Sequence, residues 1–192
     1  VGFPRLGWSD YVSQEDFEHA PESGLGVLDE ALFDQALMEV GRQKSPHLMM
    51  LSTITSHLPW RLPDELQGLK LSKDDISSDY LQTLHYTDAQ FGRFYDELGR
   101  RGLLDRAAFV IVGDHQGIHR YRSEDTWLPD NDMRLPFIVH VPGMEQQIID
   151  TPGGQVDILP TLAYLLGIPA EDYADEVMGR NLFGADGGSA ID

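Results

Sequence analysis

The stretch Phe109–His119, FVIVGDHQGIH, decides how the rest of the chain is read. Four apolar residues, three of them β-branched, run into Gly113 and then into Asp114 and His115. An apolar run of this kind, stopped by glycine, predicts a buried strand over Ala107–Val112. In open α/β sheets, ligands bind beyond the carboxyl ends of the strands, and Asp114 and His115 stand at such an end. Successive residues inside a strand point to opposite faces. A pair just past the strand, with Gly113 before it and Gly117 after it, is freer to turn both side chains toward one crevice. A carboxylate oxygen beside an imidazole nitrogen suits Zn²⁺ or Mn²⁺. A plain strand-ending turn, with Asp114 bonding backbone amides and His115 incidental, accounts for the tripeptide about as well. The location at a strand end tilts the reading toward a metal.

Outward from this strand, helical and extended patterns alternate. Asp29–Val40 predicts a helix, with Leu32, Phe33, Ala36, Leu37 and Val40 on one face and Asp29 and Glu30 favouring its N-terminus. His47–Ile54 (HLMMLSTI) reads as a buried strand that Pro59 brings to an end. Ser77–Arg101 is the longest predicted helix, with Leu81, Leu84, Phe91, Tyr95 and Leu98 sharing a face and Gly102 as its C′ residue. Asp88 falls on that same face, where a carboxylate needs a partner. A satisfied structural carboxylate is the expectation there. Leu135–Val141 reads as a third strand, stopped by Pro142-Gly143. Gln155–Leu166 reads as an amphipathic helix with Val156, Leu159, Leu162, Ala163 and Leu166 apolar and Gly167 as its stop. Residues 1–27 read as an irregular lead-in and 184–192 as a frayed tail. This order of elements predicts an α/β fold with a mainly parallel sheet flanked by helices.

Composition narrows the function classes. The 192 residues carry 14 basic and 32 acidic side chains, a net charge of −18. That excess disfavours nucleic acid, whose phosphates demand Lys and Arg, and docking on an anionic membrane face. It suits attraction of cations, and also plain solubility. The absence of cysteine excludes disulfides and thiolate metal sites without fixing a compartment. No apolar run approaches membrane-span length. The chain begins VGFPRL, without Met or signal peptide, and is expected to be excised from something longer.

A second histidine follows an extended apolar run in the same way. His57, in TSHLPW, is expected to reach the same crevice and to hydrogen-bond a phosphate or sulfate oxygen. A loop histidine capping a turn is a comparable reading. Thr53, Thr55 and Ser56 lie near it, but nothing local marks any of them as an activated nucleophile. His119, four residues after His115, is at most a rim residue because Gly117 breaks a helical spacing. His19, His47, His85 and His140 are read as ordinary loop, strand and surface residues. Two protein donors are fewer than a competent metal site uses, so Asp114 and His115 make half a site.

Taken in order, GVLDEALFDQAL, LSTITSHLPW, the run from YLQTLHYTDAQFGRFYDELGRRGLLDRAAFV to IVGDHQGI, LPFIVHVPG and GGQVDILPTLAYLLGI resemble the sulfatase branch of the alkaline phosphatase superfamily. Within it they resemble lipoteichoic acid synthase and related bacterial phosphoglycerol transferases. The likeness covers about Leu6 to Phe183. It implies an alkaline-phosphatase/sulfatase-like fold holding one divalent metal ion, Mn²⁺ favoured over Zn²⁺, Mg²⁺ or Ca²⁺. It implies that Asp114 and His115 are metal ligands, that His57 contacts the substrate's phosphoglycerol group, and that Asp157 caps or packs. The substrate would be an anionic phosphate or sulfate ester, lipid-linked in the transferases. The setting would be the extracytoplasmic face of a bacterial membrane, with an upstream membrane segment.

The family's nucleophile, an early acidic ligand, and a Trp and an Arg that hold the head group have no counterpart here. The chain is therefore expected to be the C-terminal portion of a catalytic domain, with little turnover by itself. Phosphoglycerol transfer is the first functional reading, sulfate-ester hydrolysis the second. A non-catalytic ligand-binding module is the reading from another class.

Overall fold

The computed structural model describes residues 3–17, 20–71, 76–115 and 135–184. The chain divides into two compact units. One is Val1–Arg106 with Val112–Phe137; the other is Ala107–Ile111 with Ile138–Asp192.

In the first unit, two short 3-10 turns (Phe3–Leu6 and Gln14–Asp16) and then a short antiparallel hairpin lie inside the stretch expected to be irregular. Strand β1 (Glu22–Ser23) pairs with β2 (Gly26–Val27), Glu22 opposite Val27. Helix α1 follows at once (Asp29–Arg42), its acidic first turn and basic last turn matching the helix dipole. Its buried side, Phe33, Ala36 and Leu37, packs on helix α2 (Ile76–Arg100). The ring of Phe33 stacks on Phe94 at 5.0 Å and meets Phe91 edge-on at 6.1 Å. Arg101 at the far end of α2 donates to the Leu37 carbonyl at 2.8 Å. Beside these rings Leu28, Leu62 and Tyr86 form a second buried cluster.

Helix α2 stops as its sequence predicts. Gly102 takes a left-handed φ of 65°. Its N–H donates to Gly99 and the Leu103 N–H to Leu98, which satisfies the last carbonyls of the helix.

Two expectations for this unit need correction. The buried side of α2 runs through Gln82, Thr83, Tyr86, Phe94 and Leu98, so Leu84 and Asp88 face solvent. Asp88 therefore needs no buried partner. The face is rotated because Gln82 turns inward to bond the backbone of a neighbouring segment, and Thr83, buried beside it, satisfies its hydroxyl within the helix. Gln82 holds both the N–H and the carbonyl of Leu69, at 3.0 and 2.7 Å, and Thr83 donates to the Tyr80 carbonyl. Residues 47–54, expected as a buried strand, form no ladder, and Leu48 and Met50 are exposed. An apolar run becomes a strand only where a neighbour accepts its backbone hydrogen bonds. Among the described residues no strand pairs with this run, and the Ile54 N–H goes to the Asp29 side chain instead.

Strands β3 (Phe109–Val112) and β4 (Phe137–His140) hydrogen-bond to each other, inside the ranges the sequence predicts, but β3 is not the buried strand expected: Phe109–Ile111 are half-buried and Val112 is exposed. In the second unit a turn at Gln155–Asp157 leads into α3 (Ile158–Leu165). Asp157 is buried and accepts N–H bonds from Gly154 and Arg180, each at 2.8 Å, so it caps and packs as expected.

The buried face of α3 is Pro160, Thr161 and Ala163, whereas Val156, Leu159 and Leu166, expected inside, are exposed. The returning segment decides this. Leu182 donates to the Thr161 hydroxyl, and Gly179 lies so close to the Val156 carbonyl that no side chain fits there. The tail expected to fray lies, Gly184 excepted, outside the described residues. No described helix is long and apolar enough to cross a membrane.

Two measurements check this packing. Phe94→Ala should cost about 3–5 kcal/mol in urea unfolding, while Asp88→Ala should stay within about 0.5 kcal/mol. Burial first, and the Glu30 charge second, push the Tyr86 phenol from its ordinary 10.0 up to about 12. The folded phenol then holds its proton more tightly than the unfolded one. Its contribution is fully present below pH 10 and is lost as pH rises toward about 12. Tyr86→Phe should remove that part of the alkaline decline in stability.

Candidate functional site

The site is built on two turns of the first unit. The first carries His57. Its N–H donates to the Ile54 carbonyl at 2.9 Å, and the Trp60 N–H donates to the His57 carbonyl at 3.0 Å. Trp60 is buried and adopts a left-handed φ of 53°, a conformation that costs a bulky residue about 1–3 kcal/mol. Its indole N–H donates to the Ser56 carbonyl at 3.0 Å, and its ring lies 5.2 Å from Tyr80. The side chain of His57 itself is exposed, and its Nδ1 sits 3.0 Å from the Leu58 carbonyl. A carbonyl only accepts, so this contact calls for the proton on Nδ1 and turns Nε2 outward.

Behind this turn lies a fully buried carboxylate. Asp29 Oδ1 accepts the Ile54 and Thr55 N–H groups at 2.8 and 3.1 Å, and Oδ2 accepts the Thr87 hydroxyl at 2.6 Å. The Asp29 N–H donates in return to the Thr55 hydroxyl at 2.9 Å. Thr55 is fully buried and committed to this bond, so it is no free nucleophile. Sequence reading saw in Asp29 only a favourable charge at a helix start. The one available signal was that the helix begins directly after a Gly-Val strand with no Ser, Thr or Asn to cap it.

The second turn follows β3 and carries Asp114 and His115. The Gly113 N–H donates to the Pro136 carbonyl at 3.2 Å, holding the exit of the strand. Asp114 Oδ1 and His115 Nε2 are 3.8 Å apart, neighbours rather than a hydrogen-bonded pair. Both are open to solvent, with side-chain exposures of 92% for Asp114 and 62% for His115. The rings of His57 and His115 stand 6.5 Å apart and nearly perpendicular, at 88°. The structure thus brings together the three residues singled out in the sequence. His119 and His19 lie outside the described residues.

One carboxylate oxygen and one imidazole nitrogen on consecutive residues fit a divalent cation chemically. No group of three or more His, Cys, Asp or Glu side chains gathers for a metal among the described residues. Asp114 and His115 therefore fit as two donors of a larger set.

Residues 2–168 match the Sulfatase protein family. The chain belongs to that family. This sulfatase-family chain is 27% identical to lipoteichoic acid synthase 1 of Bacillus subtilis, over 96% of its own length and 31% of that protein. It is 31% identical to the lipoteichoic acid synthase of Staphylococcus saprophyticus, over 91% of itself and 28% of that protein. The crystal structure of the lipoteichoic acid synthase LtaP from Listeria monocytogenes superposes with a TM-score of 0.78 at 29% identity. That match covers 96% of this chain and 48% of the other. An alkaline phosphatase superfamily protein from Vibrio parahaemolyticus superposes with a TM-score of 0.67 at 20% identity, over 84% of this chain and 39% of that one. At that identity the likeness speaks to fold alone.

The α/β, alkaline-phosphatase/sulfatase-like fold expected from the sequence therefore holds. The chain spans about a third of the length of the curated relatives it matches. Sulfatase and alkaline phosphatase superfamily members generally use a divalent metal and act on anionic esters.

Because Asp114 and His115 are exposed, neither should matter to folding. Asp114→Ala and His115→Ala should each shift unfolding free energy by less than about 0.5 kcal/mol, read by denaturant titration.

Proposed function

We propose that this chain forms the part of a metal-dependent phosphoglycerol transferase that holds the metal through Asp114 and His115 and meets the substrate through His57. The observation that carries the reading is the approach of the His57 ring to His115, in a sulfatase-family chain with lipoteichoic acid synthases among its relatives. Mn²⁺ is the favoured ion, with Zn²⁺, Mg²⁺ or Ca²⁺ as alternatives. When bound, it supplies positive charge against phosphoryl oxygens.

His57 is poised for two kinds of contact. With Nδ1 turned to the Leu58 carbonyl, a neutral ring accepts from a substrate hydroxyl at Nε2, and a doubly protonated ring donates there to a phosphate oxygen. The exposed setting of all three side chains suits an anionic head group arriving from solvent. The nucleophile is an oxygen outside these 192 residues. Its bond to phosphorus forms as the bond from phosphorus to the lipid alcohol breaks, and the departing alkoxide takes a proton. The acceptor hydroxyl then repeats the exchange. The substrate is a lipid-linked phosphodiester, and the working location is the extracytoplasmic face of a bacterial membrane. Sulfate-ester hydrolysis is the second reading, favoured by the family match.

The test uses the full-length protein and a phosphoglycerol-bearing lipid. Chelation should abolish turnover and Mn²⁺ should restore it. Asp114→Ala should lower kcat by about 100-fold or more. His57→Ala should lower it by about 10- to 100-fold with no change in Tm. Wild-type turnover by Asp114→Ala would overturn the reading. Cleavage of an aryl sulfate but not of the lipid would favour the hydrolase, and inertness toward both would leave a ligand-binding role.

A further inference from the structure

We infer that Asp29 is the positioning residue of the site: through its buried carboxylate it fixes the turn that carries His57 and, with it, which ring nitrogen of His57 faces outward. Four hydrogen bonds converge on this residue from two separate segments. Ile54 and Thr55 donate their backbone N–H groups to Oδ1, Thr87 on α2 donates its hydroxyl to Oδ2, and Thr55 Oγ1 accepts the Asp29 N–H. The residue is wholly inaccessible to solvent.

The two backbone amides it grips lie immediately before the turn. The Ile54 carbonyl, on the same short segment, then receives the His57 N–H. Three further restraints follow on the far side. The Trp60 N–H reaches the His57 carbonyl, the indole N–H reaches the Ser56 carbonyl, and the Trp60 ring is buried against Tyr80. The left-handed φ of Trp60 shows that the turn is held in a conformation its residues do not choose for themselves. Such a conformation persists where the surroundings over-determine it. Asp29 and Trp60 are the two buried anchors that do so, one on each side of His57.

The consequence reaches the ring. His57 is exposed, so packing does not set its orientation; among the described residues its ring makes an edge contact with His115 and one hydrogen bond, the 3.0 Å contact from Nδ1 to the Leu58 carbonyl. That carbonyl belongs to the restrained turn. With the turn in place, the neutral ring carries its proton on Nδ1 and leaves Nε2 as the unprotonated acceptor. With the turn released, both tautomers become populated. Asp29 is buried and itself touches no substrate. Its bearing on turnover rests on the reading of His57 given above, whereas its hold on the ring does not.

The test therefore reads the ring directly. Long-range ¹H–¹⁵N correlation of histidine side chains is recorded on the full chain at about pH 8, where free imidazole is neutral, with His57→Gln to assign the signal. Wild type should show the Nδ1–H pattern for His57. Asp29→Ala should convert it to a mixed-tautomer pattern. Asp29→Asn should keep it, because the amide oxygen still takes two backbone N–H groups and the amide NH₂ faces the Thr87 oxygen. An unchanged His57 pattern in folded Asp29→Ala overturns the inference, since a merely structural carboxylate lowers Tm without moving the tautomer.

If Asp29→Ala loses its near-UV circular dichroism, Thr87→Val decides instead. A shifted His57 pattern in that variant supports the inference, and an unshifted one overturns it. Turnover by full-length His57→Ala is measured separately. If it equals wild type while the Asp29 variants still shift the tautomer, the positioning role stands and the role assigned to His57 fails.

Discussion

A single buried carboxylate ties helices α1 and α2 to the segment that leads into the His57 turn. Asp29 sits in the first turn of α1, where the helix dipole favours negative charge. A buried carboxylate is costly unless its oxygens are satisfied. Here donors from residues 54, 55 and 87 satisfy them. Those donors come from two segments, residues 54–55 and helix α2, that the carboxylate ties to the start of α1. Removing the carboxylate would leave two buried backbone N–H groups and a hydroxyl without partners, and an orphaned buried donor costs far more than a formed bond contributes. The register of α1 against α2 and the path of the chain into the His57 turn are therefore one decision.

Around that anchor, stability and chemistry are spatially divided. The ring stack of Phe33, Phe91 and Phe94, with Leu37 and Leu98, supplies the apolar burial that keeps α1 on α2. The groups with chemical capacity, His57, Asp114 and His115, all lie at the surface. They contribute little to folding and remain available to a cation or an anionic ester. The residues between the two sets, Asp29, Thr55 and Trp60, are buried yet polar or strained. They connect the core to the site.

Much of this was legible beforehand. The core of α1, the spans of α2, β3 and β4, and the glycine stops at Gly102 and Gly167 follow from periodicity and from the left-handed conformation that glycine permits. The pairing of His57 with the Asp114-His115 turn followed from one rule, that chemistry gathers at strand ends. The His57 and His115 rings do approach each other, although residues 47–54 are not a strand. What failed was the assignment of faces. Leu84, Val156, Leu159 and Leu166 are apolar and exposed, while Gln82, Thr83 and Thr161 are polar and buried. Hydropathy ranks the side chains of a helix but does not say which backbone passes beside it. Gln82 is buried because Leu69 needs its amide, and Thr161 because Leu182 needs its hydroxyl.

By itself, then, the sequence determined the α/β class, the places where helices begin and end, and the chemical character of GDH and TSHLPW. These depend on local propensity, short-range periodicity and the donor atoms each side chain carries. Only the tertiary structure decided that Asp29, 25 and 58 positions away from Ile54 and Thr87, closes the His57 turn. It also decided which face of α2 and of α3 is inside, and that the rings of His57 and His115 approach to 6.5 Å. The reason is physical. A hydrogen bond between distant segments depends on their meeting at about 3 Å, and no local pattern in the chain encodes that distance.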